Sequence, residues 1–264
     1  MQLNLTGKLA LVTGSTAGIG FAIAQALAAA GVIVGINGRS MARVSHAMQV
    51  IKTTYPQAQL IPIVADLTQT ADFEIVTNTM PELDILINNF GLYEAKDFAR
   101  LEDTDWLKLF TANVLSGAKL SQYYLPRMLQ RNSGRIIFIS SESAIHVPTE
   151  MLHYGVSKAS QLAVARGLAE LTVGSKVTVN SILPGPTRTE GVEKFLQQLM
   201  QQNQQSAEQV EKDFFVRTRP GSLLQRFIEP EEVASACVYL VSPLAAAING
   251  SAIRVDGGLV HALC

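Results

Sequence analysis

Residues 13–20, Thr-Gly-Ser-Thr-Ala-Gly-Ile-Gly, lie between an apolar run at 9–12 and a run of Ala, Leu, Ile and Gln at 21–30. The first run reads as a buried strand and the second as a helix. A strand, a glycine-rich turn and a helix is the context in which such a loop binds phosphate. Gly14 allows a sharp turn with positive φ. Gly18 and Gly20 let backbone approach a ligand and let helix pack on strand. The helix N-terminus then offers unpaired N–H groups and the positive end of its dipole to an anion. Glycines at 14, 18 and 20 depart from the common G-x-G-x-x-G spacing. Taken alone, the loop fits a plain tight turn equally well.

The rest of the chain repeats the strand–helix rhythm. Strands are expected at 8–13, 32–37, 60–65, 85–88, 135–140, 177–182 and 252–255, and helices at 19–30, 41–55, 70–80, 104–130, 154–173 and 230–240. The strands are short, rich in Val, Ile and Leu, and apolar on both faces, as parallel strands covered on both sides are. Alternation with helices predicts a doubly wound α/β sheet, a three-layer α/β/α single domain over 1–264. One stretch breaks the rhythm. Residues 184–221 open with Pro-Gly-Pro-Thr-Arg-Thr and continue into a Gln-rich run at 197–209, where Phe195, Leu196, Leu199 and Met200 make one apolar helix face. This segment reads either as a solvated surface helix or as a lid over a pocket; its place after a strand end favours the lid.

Composition limits the function classes. Of 264 residues, 48% are hydrophobic and 16% charged, with net charge −1 and mean hydropathy +0.21. That supports a sizeable core and offers no electrostatic footprint for nucleic acid or an anionic membrane. Cys237 and Cys264 have neither paired nor metal-ligand spacing, so a reducing, cytoplasmic setting is expected. No signal peptide is expected from residues 1–8. Residues 17–36 are nearly apolar and membrane-length, but Gln25 and Gly31 divide them into a helix and a strand.

Tyr154-Gly155-Val156-Ser157-Lys158 puts a phenol and an ammonium on one helix face. A free phenol titrates near about 10, and a neighbouring ammonium lowers that value, so the pair forms a plausible acid/base unit. Ser141, at the end of the preceding strand, places a hydroxyl where it can bond a substrate oxygen; a serine capping a turn reads the same way.

The loop at 13–20, Asn88-Asn89-Phe90-Gly91, and Ser141 with Tyr154 and Lys158 occur in this order, and here the chain resembles the short-chain dehydrogenase/reductase family. The resemblance runs from Gly7 to Gly258 and adds Asp66, Asn113, Asn180, Pro184-Gly185, Thr189 and Asp256-Gly257-Gly258. It implies a Rossmann sheet of about seven parallel strands and a nicotinamide cofactor at the strand C-termini. It implies catalytic roles for four residues. Tyr154 is the general acid/base, Lys158 lowers its pKa and holds the nicotinamide ribose, Ser141 orients the reacting oxygen, and Asn113 holds a water. It also implies cofactor binding by Gly14, Ser15, Thr16, Gly18, Ile19, Gly20, Asp66, Leu67, Asn89, Gly91, Pro184, Gly185, Thr187 and Thr189, besides Tyr154 and Lys158. Phe90 departs from the alanine the family commonly has and reshapes the floor of that site.

The second strand ends Asn37-Gly38-Arg39. An NAD-preferring site places a carboxylate here for the ribose 2′-OH, whereas Arg39 suits a 2′-phosphate. NADP(H) is therefore expected over NAD(H). His46, His146, His153 and His261 lack metal-ligand spacing, and no metal is expected. His146 and His153 either line the pocket or are partly exposed loop residues. Glu142 and Glu150 read as solvated, and Trp106, Leu109 and Phe110 as core or subunit contacts. By analogy with the family the chain is a homo-oligomer, a tetramer or a dimer, acting on a small carbonyl or alcohol without nucleic acid or membrane. The expected function is an NADP(H)-dependent carbonyl/secondary-alcohol oxidoreductase. The alternatives are a 3-oxoacyl-carrier-protein reductase, for which Arg127 and Arg131 supply charge but Glu170 stands where an arginine is often found, and a non-catalytic dinucleotide sensor.

Overall fold

Seven parallel strands form one sheet: β1 (Leu9–Val12), β2 (Ile33–Gly38), β3 (Leu60–Val64), β4 (Ile85–Asn88), β5 (Gly134–Ile139), β6 (Val177–Pro184) and β7 (Ala252–Val255). Their order across the sheet is β3-β2-β1-β4-β5-β6-β7. The computed structural model describes residues 3–262, with backbone alone at 195 and 203. Chain direction across the sheet reverses between β1 and β4. In an open α/β sheet that reversal leaves a crevice beyond the strand C-termini.

The period of two along each strand builds two cores. Ala10, Val12, Ile85, Ile87, Ile137 and Ile139 point to one face, where they meet α1 (Gly18–Ala29), α2 (Met41–Thr54) and α9 (Pro230–Val241). Leu11, Leu86, Ile136 and Phe138 point to the other, against α3 (Asp72–Thr79), α5 (Ser116–Gln130) and α6 (Leu152–Glu170). Each such Val, Leu, Ile or Phe side chain contributes roughly 1.5–3 kcal/mol by leaving water. The sandwich is the expected three-layer arrangement, a single Rossmann-like domain.

Two expectations need correction. The single helix expected at 104–130 is α4 (Asp103–Phe110), a π-turn (Thr111–Leu115) and α5. The extra residue of the π-turn sits where Asn113 is directed at its partners, and apolar periodicity does not reveal it. The Gln-rich stretch is not one surface helix. It turns at Gln204, whose φ is +54°, and makes a hairpin of α7 (Glu190–Asn203) and α8 (Ala207–Arg217). Leu196, Val210, Phe215 and Phe227 form a small core of their own, with Leu199 and Met200 packed against it. Phe195, expected on the same face, lies outside the described side chains. Arg188 ties the hairpin together, reaching Glu193 at 3.1 Å, Glu211 at 2.7 Å and Glu229 at 3.2 Å.

Cys237 is buried and free, and Cys264 lies outside the described residues. Among the described residues no helix is long and apolar enough to cross a membrane.

Candidate active site

The glycine loop connects β1 to α1. Gly14 and Gly18 have φ of +61° and +56°, a region that disfavours any side chain. A Cβ on Gly20 would collide with Asn89 Nδ2 and lie 2.5 Å from the Gly14 carbonyl. Neighbouring side chains hold the loop. Asn89 Nδ2 donates to the carbonyls of Thr13 and Gly14, at 2.9 and 3.2 Å. Thr13 Oγ1 accepts from the backbone N–H groups of Asn89 and Phe90. The Ser15 hydroxyl turns into the sheet, accepting from Asn37 N at 2.9 Å. The residue before α1 is Ala17, which has no side-chain acceptor, so no side chain caps the helix's first-turn N–H groups. A phosphate fits such an end.

A cleft of about 440 Å³ runs from this loop, lined by Gly14, Gly18, Ile19 and Gly20, past Asn89 and Gly91, to Tyr154, Lys158 and Thr189. A second cavity of about 450 Å³ adjoins it at Gly14, Phe90 and Arg43, and also takes in Thr16, Arg39 and Leu67. Arg43, which sequence reasoning missed, lines both and stands 3.6 Å from Glu190. Its signal was a second arginine one helical turn beyond Arg39. Among the described residues no acid pairs with Arg39. Phe90 lines both cavities and packs against the second core.

Ser15, Asp66, Asn113, Ser141, Pro184, Gly185 and Thr187 line neither cavity. Asp66 accepts from Thr68 N and Oγ1. Pro184 ends β6, Gly185 N donates to Val255 O at 2.9 Å, and Thr187 Oγ1 donates to Gly185 O. Thr189 precedes α7 and brings its methyl group within 3.2 Å of the space that a Cβ on Gly18 would fill.

At the other end of the cleft, Lys158 Nζ donates to the Ile139 carbonyl at 3.0 Å and sits 5.8 Å from the centre of the Tyr154 ring. Burial pushes the Lys158 ammonium down to about 7. Burial pushes the Tyr154 phenol up, the charge of Glu142 adds to this, and a hydrogen bond with Ser141 opposes it. In the chain alone, desolvation therefore sets the direction, and the expected lowering by Lys158 is not among the influences on the phenol. Asn113 is pinned: Nδ2 donates to Leu92 O and Ser157 Oγ, and Oδ1 accepts from Leu92 N at 2.7 Å. A Cβ on Gly91 would lie 2.9 Å from Asn113 Oδ1 and 3.4 Å from Lys158 Nζ, so Gly91 keeps that corner open.

Glu142 corrects the solvated reading. It is 5% exposed, and Ser141 Oγ donates to its Oε2 at 2.5 Å. Arg219, which follows α8, stands 3.8 Å from Glu142 and 3.2 Å from Glu150. Burial pushes the Glu142 carboxyl up, opposed by Ser141 and Arg219. Neighbouring residues in sequence gave no sign of this, because Arg219 arrives from the far end of the 184–221 segment. His153 is also buried rather than in the loop, edge-on to Trp106 at 6.1 Å between ring centres, whereas His146 is exposed.

Comparison with known proteins gives the family and the fold. The family model described as "Enoyl-(Acyl carrier protein) reductase" matches residues 14–260. The chain is similar to "Uncharacterized oxidoreductase YvaG" of Bacillus subtilis, 44% identical over 263 residues with 100% of each chain covered. It is 32% identical to the 3-oxoacyl-[acyl-carrier-protein] reductase FabG of Aquifex aeolicus, covering 98% of this chain and 100% of that one. Among solved structures, the L-sorbose reductase of Gluconobacter frateurii complexed with NADPH and L-sorbose superposes with a TM-score of 0.94 at 27% identity, 100% of both chains covered.

Proposed function

The chain belongs to the short-chain dehydrogenase/reductase family and is an oxidoreductase; from that premise we propose that it uses NADP(H) to interconvert a carbonyl and a secondary alcohol on a small molecule. One observation carries the reading: a single cleft has the glycine loop at one end and Tyr154 with Lys158 at the other. The cradle left by Gly14, Gly18 and Gly20 and the uncapped start of α1 fit a pyrophosphate. Bound NADPH supplies the hydride.

The chain's own residues do the rest. Tyr154 gives its phenolic proton to the oxygen of the reduced carbonyl, or takes it back in oxidation. Ser141 orients that oxygen. Lys158 holds the cofactor ribose and favours the phenolate, and Asn113 fixes the strand-to-helix corner around Gly91. The remaining cofactor contacts are Thr16, Ile19, Leu67, Asn89 and Thr189, which line the two cavities, while Asp66, Pro184, Gly185 and Thr187 border them from outside and Ser15 supports the loop from behind. The preference for NADP(H) draws support from Arg39 and Arg43 around the outer cavity and from the NADPH in the L-sorbose reductase complex. The hairpin of α7 and α8 is the lid, and its independent core supports that role. Exposed Leu107, Phe110, Leu115 and Val156 on and around α4 and α6 support assembly into a homo-oligomer through that face. We place the enzyme in the cytoplasm.

A carrier-protein reductase remains the second reading, favoured by the Aquifex relative. Its expected basic surface is weak. Arg127 folds over Tyr123, Arg131 pairs with Glu82 beside the start of β4, at the opposite end of the sheet, and Glu170 pairs with Arg166. The test is a fluorescence titration with NADPH and NADH. An NADPH-oxidation screen over aldehydes, ketones, sugars, steroids and a 3-oxoacyl thioester follows it. NADPH binding with turnover of a small carbonyl is expected. Turnover of the thioester alone would favour the second reading, and binding without turnover by any class would favour a sensor.

A further inference from the structure

We infer that Glu142 is a specificity-determining residue that selects carbonyl substrates bearing a hydroxyl on the adjacent carbon. The inference rests on the carbonyl-reductase reading above and names its substrate class.

The Ser141 hydroxyl has one proton, and Glu142 Oε2, 2.5 Å from Ser141 Oγ, is the carboxylate oxygen placed to accept it. Ser143 N donates to Ser141 Oγ at 3.1 Å, which uses a lone pair, and Tyr154, held as a neutral phenol by burial, is the third hydrogen-bond partner of this hydroxyl. With its proton committed to the carboxylate, Ser141 has only lone pairs left for a carbonyl oxygen, which is itself an acceptor. A plain ketone therefore meets a serine facing the wrong way.

A ketone with a neighbouring hydroxyl changes that arrangement. Oxygens on adjacent carbons are within hydrogen-bond reach of one another, and Ser141 Oγ and Glu142 Oε2 form a pair of the same span. The substrate hydroxyl donates to Glu142 in place of Ser141. The Ser141 proton then rotates to the carbonyl oxygen. No proton leaves its oxygen in this exchange, and every donor ends on an acceptor. Glu142 is suited to it by being 5% exposed, so water competes poorly for its oxygens. Arg219, 13% exposed at its side chain, stays 3.8 Å away and balances the buried charge while holding Glu150 at 3.2 Å. Charge-assisted hydrogen bonds of this kind are worth about 1.5–3 kcal/mol, a discrimination of roughly 10- to 150-fold.

The test compares matched pairs, hydroxyacetone with acetone and acetoin with 2-butanone, as NADPH-dependent kcat/KM values. Glu142→Gln keeps the shape, and Glu142→Leu removes every acceptor at similar size. Thermal unfolding and NADPH titration of each variant check folding and cofactor binding. The wild type is expected to favour the hydroxylated partner at least about tenfold. Glu142→Leu is expected to gain on the plain ketone, lose on the hydroxyketone and bring the ratio near one, with Glu142→Gln between. A wild-type ratio near one, or an unchanged ratio in both folded variants, overturns the inference while turnover of any carbonyl leaves the reductase reading standing. Failure of the wild type to bind NADPH overturns both.

Discussion

The methyl group of Thr16 occupies the space that a side chain at position 38 would need: a Cβ on Gly38 would lie 2.6 Å from Thr16 Cγ2 and 3.3 Å from Val44 Cγ2. The end of β2 is thus packed onto the glycine loop. The position where an NAD site carries its carboxylate has no room for one. Gly38→Asp is therefore expected to behave as an overpacking change, costing about 1–3 kcal/mol. It lowers the unfolding temperature and weakens NADPH and NADH together. Thermal unfolding and cofactor titration check this; tighter NADH binding at an unchanged unfolding temperature would mean that the loop yields easily.

Arg39 and Arg43 border the outer cavity from the end of β2 and the first turn of α2. On the proposed NADP(H) reading, changing either to alanine removes a charged donor from the 2′-phosphate. Arg39→Ala and Arg43→Ala are each expected to weaken NADPH about 10- to 100-fold and to leave NADH within a few-fold. Equal losses for the two cofactors in both variants would show that neither arginine meets the phosphate.

Tyr154→Phe removes one hydroxyl from the cleft and leaves the ring in place. Turnover is expected to fall about 100- to 10,000-fold, the usual worth of a general acid. NADPH affinity stays within a few-fold. Stopped-flow hydride transfer and a fluorescence titration separate the two effects, and turnover at the wild-type rate would remove Tyr154 from the chemistry.

Lys158 carries a stability cost that depends on pH. Its ammonium titrates near about 7 in the fold, against about 10.4 in an unfolded chain. Between those values the unfolded chain holds the proton and the folded one does not, so stability rises with pH across that window. Below about 7 both states are protonated and the full cost is present. Lys158→Met is expected to raise the unfolding temperature of the cofactor-free protein by several degrees at pH 7 and by little at pH 10, while abolishing turnover. Unfolding curves across that range test the sign. A gain that grows with pH would contradict it.

The sheet was legible because its strands are apolar on both faces. Runs such as Ile85–Asn88 and Ala252–Val255 have the same bounds in sequence and in structure. The glycine loop and the Tyr154–Lys158 pair were legible because both lie within short stretches of chain. What escaped notice depends on contacts between distant segments. Glu142 looks solvated until Arg219, from beyond α8, is folded onto it. Arg43 is one surface arginine among several until α2 is set beside the loop. The π-turn that holds Asn113 adds one residue to a helical repeat, a change too small for the apolar pattern to register.

The hairpin of α7 and α8 packs its aromatic residues against one another, with Phe214 and Phe227 stacked 5.0 Å apart, and gathers its charges on Arg188. Such a piece can be lengthened, shortened or transplanted between relatives while the hydride-transfer floor stays fixed. If the hairpin serves as the proposed lid, what the cleft accepts can change by exchange of a cassette that begins and ends at the same two anchors, Thr187 and Ile228, which are bridged to each other.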